Sequence, residues 1–253
     1  MKHDDTTRMS ANNHHPILSF LTSQGFPAGL RGALLHRSTH EPLSVWILDN
    51  SQKMCPADAH ILQVNTYATI PATRWQELVD CVLYHADLAY CLQWPTRFAL
   101  LNPTTAPPQP LLQHFVLHQP SQHVDGRPVQ PHEQIQILKQ ALMSVTPQGP
   151  AALLTQLQLL REYIASIAAT LRTNQHTLPI IIATQGLLTD DEGQWSPMLG
   201  QSFIRLLHSF RDLPVSFVLR LCTDDEQAFE FYNALDAHVN VPLDVLDDFY
   251  GES

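Results

Sequence analysis

Lysine occurs at only three of the 253 positions, Lys2, Lys53 and Lys139, and all charged residues together make up 15% of the chain. The formal net charge is −10. Such a chain has no basic face with which to hold nucleic-acid phosphates or an anionic membrane surface. Cysteine is equally scarce. Cys55, Cys81, Cys91 and Cys222 are scattered with no Cys-x-x-Cys pair, so a disulfide framework is not expected and a reducing, intracellular compartment is the default. No apolar run is long enough to cross a membrane. Residues 1–15 are polar and lack the apolar stretch of a secretory signal. There is no Gly-rich phosphate loop, no Gly-x-Ser-x-Gly elbow and no His-Glu-x-x-His. The expectation is a soluble cytoplasmic protein with no nucleic-acid partner and no direct membrane insertion.

Hydrophobic residues account for 44% of the chain, enough for one large core. Apolar runs and helical stripes alternate along it. Leu43–Leu48, Pro179–Ala183 and Val215–Leu221 are almost wholly apolar, as strands covered on both faces must be. Ile61–Ala68 is read as a further strand, Thr96–Leu101 and Gln113–Leu117 as a strand pair, and Val241–Leu246 as the last strand. Thr73-Arg74-Trp75-Gln76 has the form of a capping box and opens a helix. A short helix covers about Glu133–Ser144. The clearest helix is Ala151–Arg172, where Leu153, Leu157, Leu160, Ile164, Ile167 and Leu171 recur at three- and four-residue steps. Ser202–Phe210 is amphipathic, and Thr223-Asp224-Asp225-Glu226 opens another helix. Pro16–His36 reads as a helical hairpin or cap. Strands alternating with helices predict a doubly wound α/β fold with a mostly parallel sheet and helices on both faces. The expected organisation is a polar tail over residues 1–15 and one domain over 16–253, with a Pro-rich insertion near 102–131.

In such sheets a ligand sits at the C-terminal strand ends, where the strand order reverses. Two strand ends stand out: Asp49-Asn50-Ser51-Gln52-Lys53, and Thr184-Gln185-Gly186 followed by Asp190-Asp191-Glu192. These segments, in this order, resemble the von Willebrand factor type A (vWA) family. There the first strand ends in Asp-x-Ser-x-Ser, a middle loop supplies a Thr, and a later strand ends in an Asp-Gly turn. Together they hold one Mg²⁺ or Mn²⁺. The first motif maps to Asp49, Ser51 and Lys53, the Thr position to Ala151 and the later turn to Gln185-Gly186. The resemblance covers roughly residues 43–248 by element order.

The departures from that pattern direct the functional reading. Asp49 and Ser51 remain, but Lys53, Ala151 and Gln185 replace the other three ligands. A hard divalent cation wants about six oxygens, usually with carboxylate charge among them. The resemblance therefore implies a degenerate, metal-free pseudo-site formed by Asp49, Ser51, Lys53, Ala151 and Gln185. One expectation is that the Lys53 ammonium pairs with Asp49 where the cation would sit. The alternative leaves Lys53 in water while Asp49 accepts N–H bonds from its own loop. The family commonly serves as interaction or scaffold modules, so the expected function is non-catalytic binding of other proteins within a larger assembly, without cofactor.

Two other functions compete. One is a working Mg- or Mn-dependent ligand-binding domain, with Asp190 supplying a displaced carboxylate. The other is a hydrolase using Cys55 with a histidine, or an Asp-centred site, in the same crevice. Against the latter, Cys55 reads as a small buried thiol. Asp190-Asp191-Glu192 reads more simply as a turn or helix start. The histidine pairs His36/His40 and His114/His118 and the tail pair His14-His15 lack the grouping of a zinc site. From Asp212 onward there are ten acidic residues against Arg220 alone, while residues 1–211 are nearly neutral. That acidic end is either a solubilising face or a docking face for a basic partner surface. Asp190, Asp191, Asp244, Asp247 and Asp248 are the partner-binding candidates.

Overall fold

The computed structural model describes residues 17–37, 43–63, 68–104, 114–117, 123–124, 127–222, 226–236 and 239–246. Its centre is a six-stranded sheet in the order β10-β9-β8-β1-β4-β5. The strands are β1 (Ser44–Leu48), β4 (Thr96–Leu100), β5 (His114–Leu117), β8 (Leu178–Thr184), β9 (Val215–Leu221) and β10 (Leu243–Leu246). All neighbours pair in parallel except β4 and β5. This is the expected doubly wound α/β class. The chain lays β1 down first, builds outward through β4 and β5, then returns to the other side of β1 for β8, β9 and β10. The strand order therefore reverses at β1.

Residues 17–23 form a helix α1, followed by α2 (Ala28–Arg37), α3 (Arg74–Leu92), α4 (Pro131–Ser144), α5 (Leu153–Thr173), α6 (Pro197–His208) and α7 (Glu226–Asp236). The Thr73 box forms as predicted: Gln76 N–H donates to Thr73 Oγ1, and Thr73 N–H donates to Gln76 Oε1. Gln93, in the left-handed region at φ 58°, ends α3. The α5 stripe buries Leu153, Leu157, Leu160, Ile164, Ala168 and Leu171. Helix α6 begins a turn earlier than its apolar periodicity suggests. Ser196 caps it through Leu199 N–H, and Pro197 takes the first position, where no N–H is needed.

Ile61–Ala68 is not a strand of the main sheet. Residues 59–63 (β2) and 68–72 (β3) pair with each other in an antiparallel ribbon packed on α3. Ala59 is buried and Ile61 half-buried in this ribbon, while His60 and Gln63 are exposed. In the proline-bearing middle section, β5 joins the main sheet as its edge, and His123–Val124 (β6) pairs with Arg127–Pro128 (β7). Residues 1–15, most of that section, the Thr223 box, Asp247 and Asp248 lie outside the described residues, as do His14, His15, His40 and His118.

The two faces of the sheet are covered unequally. On one, α5, α6 and α7 bury Leu178, Ile180, Ile182, Val215, Phe217, Leu219 and Leu221 together with Phe203, Phe210 and Tyr232. On the other, α3 and α4 bury Trp46, Leu48, Phe98, Leu100, Phe115 and Leu117. The β8–β9 half of this second face is only partly covered: Pro179, Ile181, Ser216, Val218 and Arg220 are half-buried. Helices α1 and α2 pack through Leu21 on the end of α3, at Leu88 and Leu92.

Candidate functional site

Asp49 follows the last residue of β1, at the switch point, and is fully buried along with Asn50 and Ser51. Its N–H donates to Ala183 O at 2.9 Å, extending the β1–β8 ladder by one bond. Both carboxylate oxygens have partners. Ser51 N–H donates to Oδ1 at 2.8 Å, and Thr184 Oγ1 donates to Oδ2 at 2.8 Å. Lys53, by contrast, lies exposed in the short 3-10 turn Gln52–Met54. The expected Lys53–Asp49 ion pair does not form. The turn directs Met54 into the core and Lys53 to water, so the carboxylate takes its bonds from its own loop and from β8.

The cation that does reach this crevice is Arg74, the first residue of α3. Its guanidinium donates to Gln185 Oε1 at 2.6 Å and grips Asp58 through two bonds, at 2.8 and 2.6 Å. The hydrogen bond from Arg74 is the main reason that the Asp58 carboxyl lies below its ordinary value. Gln185, the residue that the resemblance maps to the family's second carboxylate, is thus turned toward a positive group.

Amides and backbone knit the surrounding loops together. Asn50 Nδ2 donates to Asn102 O, Asn102 N–H donates to Asn50 Oδ1, and Asn102 Nδ2 donates to Pro150 O. Gln52 N–H reaches Gly149 O, and Gln148 N–H reaches Asn50 O. Ala151 N–H donates to Thr189 Oγ1 at 2.8 Å, and Thr189 N–H donates back to Ala151 O at 3.0 Å. Gly149 sits at φ +78°, and a Cβ there would meet Asn102 Oδ1 at 2.8 Å. Glycine is required on both counts. Tyr232 Oη donates to Gly186 O at 2.9 Å, and burial pushes that hydroxyl's pKa up, so it remains a donor.

The structure brings Asp49, Ser51, Ala151 and Gln185 to one crevice and leaves Lys53 at its edge. Against a divalent cation the donor set is poor. Ala151 has no side-chain oxygen, Gln185 Oε1 is held by a guanidinium, and Asp49 already accepts two bonds. Ser51 Oγ is the exception, buried with no hydrogen-bond partner. One carboxylate and one hydroxyl beside an arginine do not fit an ion that wants about six oxygens. Asp190 does not supply the missing carboxylate: its Oδ1 accepts from Glu192 and Gln194 N–H in its own exposed turn. Among the described residues no group of three His, Cys, Asp or Glu side chains could hold a metal.

Cys55 is exposed rather than buried, and its Sγ contacts Pro147 O at 3.7 Å. The 3-10 turn buries Met54 and so carries the next residue outward. Asp190, Asp191 and Asp244 are exposed, with Asp244 on the edge strand β10. Sequence reasoning did not single out Asn50, Arg74, Asn102, Thr184 or Thr189. Thr184 had one local signal, as the last residue of a buried strand beside the Gln185-Gly186 turn. The others depend on partners 38 to 111 residues away.

No protein-family model and no curated protein matches the chain. Among solved structures, it is similar to the SpRpn10 VWA domain, with 11% identity, 82% of this chain and 88% of that one covered, and a TM-score of 0.44. It is also similar to the human COPII-coat protein Sec24c, with 10% identity, 83% of this chain and 30% of that one covered, and a TM-score of 0.39. Likenesses at this level do not decide a family. No described helix is long and apolar enough to cross a membrane.

Proposed function

We propose that the chain is a non-catalytic protein–protein interaction module of vWA type, and that its switch-point crevice works without a metal. One observation carries this reading: apart from Ser51 Oγ, the groups at the cation position are bonded to protein. Ser51 N–H and Thr184 hold Asp49, Arg74 holds Gln185, and Thr189 holds the Ala151 backbone. A crevice knit in this way is a rigid loop platform, suited to presenting a surface rather than completing an ion's coordination. The acidic residues Asp244, Asp190 and Asp191 border exposed surface, and with Asp247 and Asp248 they are the candidate contacts for a basic partner.

Calorimetric titration with Mg²⁺ and with Mn²⁺ tests the metal-free reading. The expected result is no heat and no shift in melting temperature. Micromolar binding of either ion, lost in Asp49→Ala, would overturn it in favour of the Mg- or Mn-dependent ligand-binding alternative. For the interaction face, affinity capture with Asp244→Lys/Asp247→Lys/Asp248→Lys is expected to lose a partner that the wild-type chain retains. An unchanged partner set would remove the acidic end from the proposal.

A further inference from the structure

The half-covered face of the sheet contains a groove of about 360 Å³, within the usual size range of ligand pockets. Its floor is Trp46, Ile181 and Val218, which stand in one cross-strand row of β1, β8 and β9. Leu88 and Ala89 of α3 form one wall, with Leu246 of β10 at the far rim. Arg220 and His85 are the titratable groups in the lining. The imidazole of His85 lies tilted against Trp46, with ring centres 5.0 Å apart. Burial, reinforced by the nearby Arg220 charge, lowers the His85 pKa to about 4, so it is neutral at physiological pH. The groove thus carries one positive charge, from Arg220. Cys81 of α3 hydrogen-bonds that guanidinium, and the Glu77 and Asp80 carboxylates of the same helix also act on Cys81, but no carboxylate among the described residues forms a direct ion pair with Arg220.

An apolar trough with a single guanidinium has a definite chemical complement. Its floor matches an alkyl body, and a fixed cation in a partly desolvated setting selects a planar acid over an alcohol or an amine. The row from Trp46 to Val218 spans two strand spacings, roughly 10 Å, and Arg220 lies two residues further along β9, roughly 7 Å away. The trough is therefore elongated, with the charge toward one end. We infer that this groove binds an amphipathic monocarboxylate of fatty-acid type, its chain over Trp46, Ile181 and Val218 and its acid group on Arg220. This site is separate from the switch-point crevice and does not rest on the function proposed above.

Isothermal titration calorimetry of the intact chain with octanoate, dodecanoate, dodecanol and dodecylamine tests the inference. Dodecanoate is expected to saturate at one site, octanoate to bind more weakly, dodecanol at least tenfold more weakly, and dodecylamine not at all. Arg220→Met should weaken dodecanoate at least tenfold while leaving dodecanol unchanged. Val218→Trp should abolish binding by filling the floor. Should that variant not melt cooperatively, Leu246→Trp at the exposed rim provides the block. Equal affinity for acid and alcohol, binding indifferent to both blocking variants, or no heat with either acid would overturn the proposal. The last result, combined with a protein partner lost on Val218→Trp, would assign the groove to a protein segment instead.

Discussion

The switch-point crevice and the groove beside α3 lie against the same sheet and solve opposite problems. In the crevice, chain connections converge with many polar groups, and nearly all of them bond to one another. In the groove, strands pass with few polar groups, and the lining is left partly uncovered. Each has one orphan, Ser51 Oγ in the crevice and Trp94 Nε1 in the groove wall. In the polar top, where the family resemblance directed attention, the described polar groups other than Ser51 Oγ are bonded to one another. The open groove lies instead on the sheet face that α3 and α4 cover only in part.

The sharpest way to break this comparison uses neighbours on β9. Phe217 is buried under α5 and α6, whereas Val218 faces the groove. Phe217→Ala is expected to cost about 3–5 kcal/mol through the cavity it leaves, and Val218→Ala about 1 kcal/mol or less. Urea unfolding measures both, and similar losses would mean that the two faces are equally packed.

Asp49→Ala comes next, at about 2–4 kcal/mol, because it strands the buried Ser51 N–H and leaves the Thr184 hydroxyl only the longer bond to Gly186 O, at 3.4 Å. A near-neutral result in thermal melting would deny that the carboxylate holds the crevice together.

His85 yields a pH effect of about 2 kcal/mol. Its pKa falls from 6.5 in the unfolded chain to about 4 in the fold. Between these values the unfolded state binds more protons, so stability rises with pH. It is greatest above pH 6.5 and falls as the pH drops toward about 4. On going from pH 7 to pH 5 the wild type should lose about 2 kcal/mol more than His85→Gln, read from urea midpoints. Parallel curves would place His85 in water.

Smallest are Lys53→Met and Ser51→Ala, each within about 0.5 kcal/mol of wild type by melting, the first because Lys53 is exposed, the second because removing an unpartnered hydroxyl loses no bond. A loss above 1 kcal/mol for Lys53→Met would restore the Lys53–Asp49 pair.

Much of this architecture was legible in the chain. Val215–Leu221 and the Thr73 box were read correctly to the residue, and Leu43–Leu48 and the α5 stripe nearly so. Each is a local pattern whose cause is local: apolar runs for buried strands, three- and four-residue steps for a packed helix, a side-chain cap for a free N–H. Asp49 and Ser51 were legible as candidates for the same reason, since they stand at a strand end. The role of Lys53 was not. Whether a loop lysine pairs or faces water depends on which neighbour the turn buries, and here Met54 takes the inside position. The strand expected over Ile61–Ala68 falls on two short strands, 59–63 and 68–72, that pair with each other, because a short apolar stretch does not specify which strand it pairs with.

Residue order alone determined the α/β class, the capped start of α3 and the carboxylate at the end of the first strand, because these follow from the chemistry of adjacent residues. Tertiary structure decided that Arg74 holds Gln185, that Thr184 holds Asp49, and that α3 and α4 leave Trp46, Ile181, Val218 and Arg220 lining a groove. Hydrogen bonding and packing act between atoms a few ångströms apart, and only the assembled sheet brings residues distant in the chain to that range.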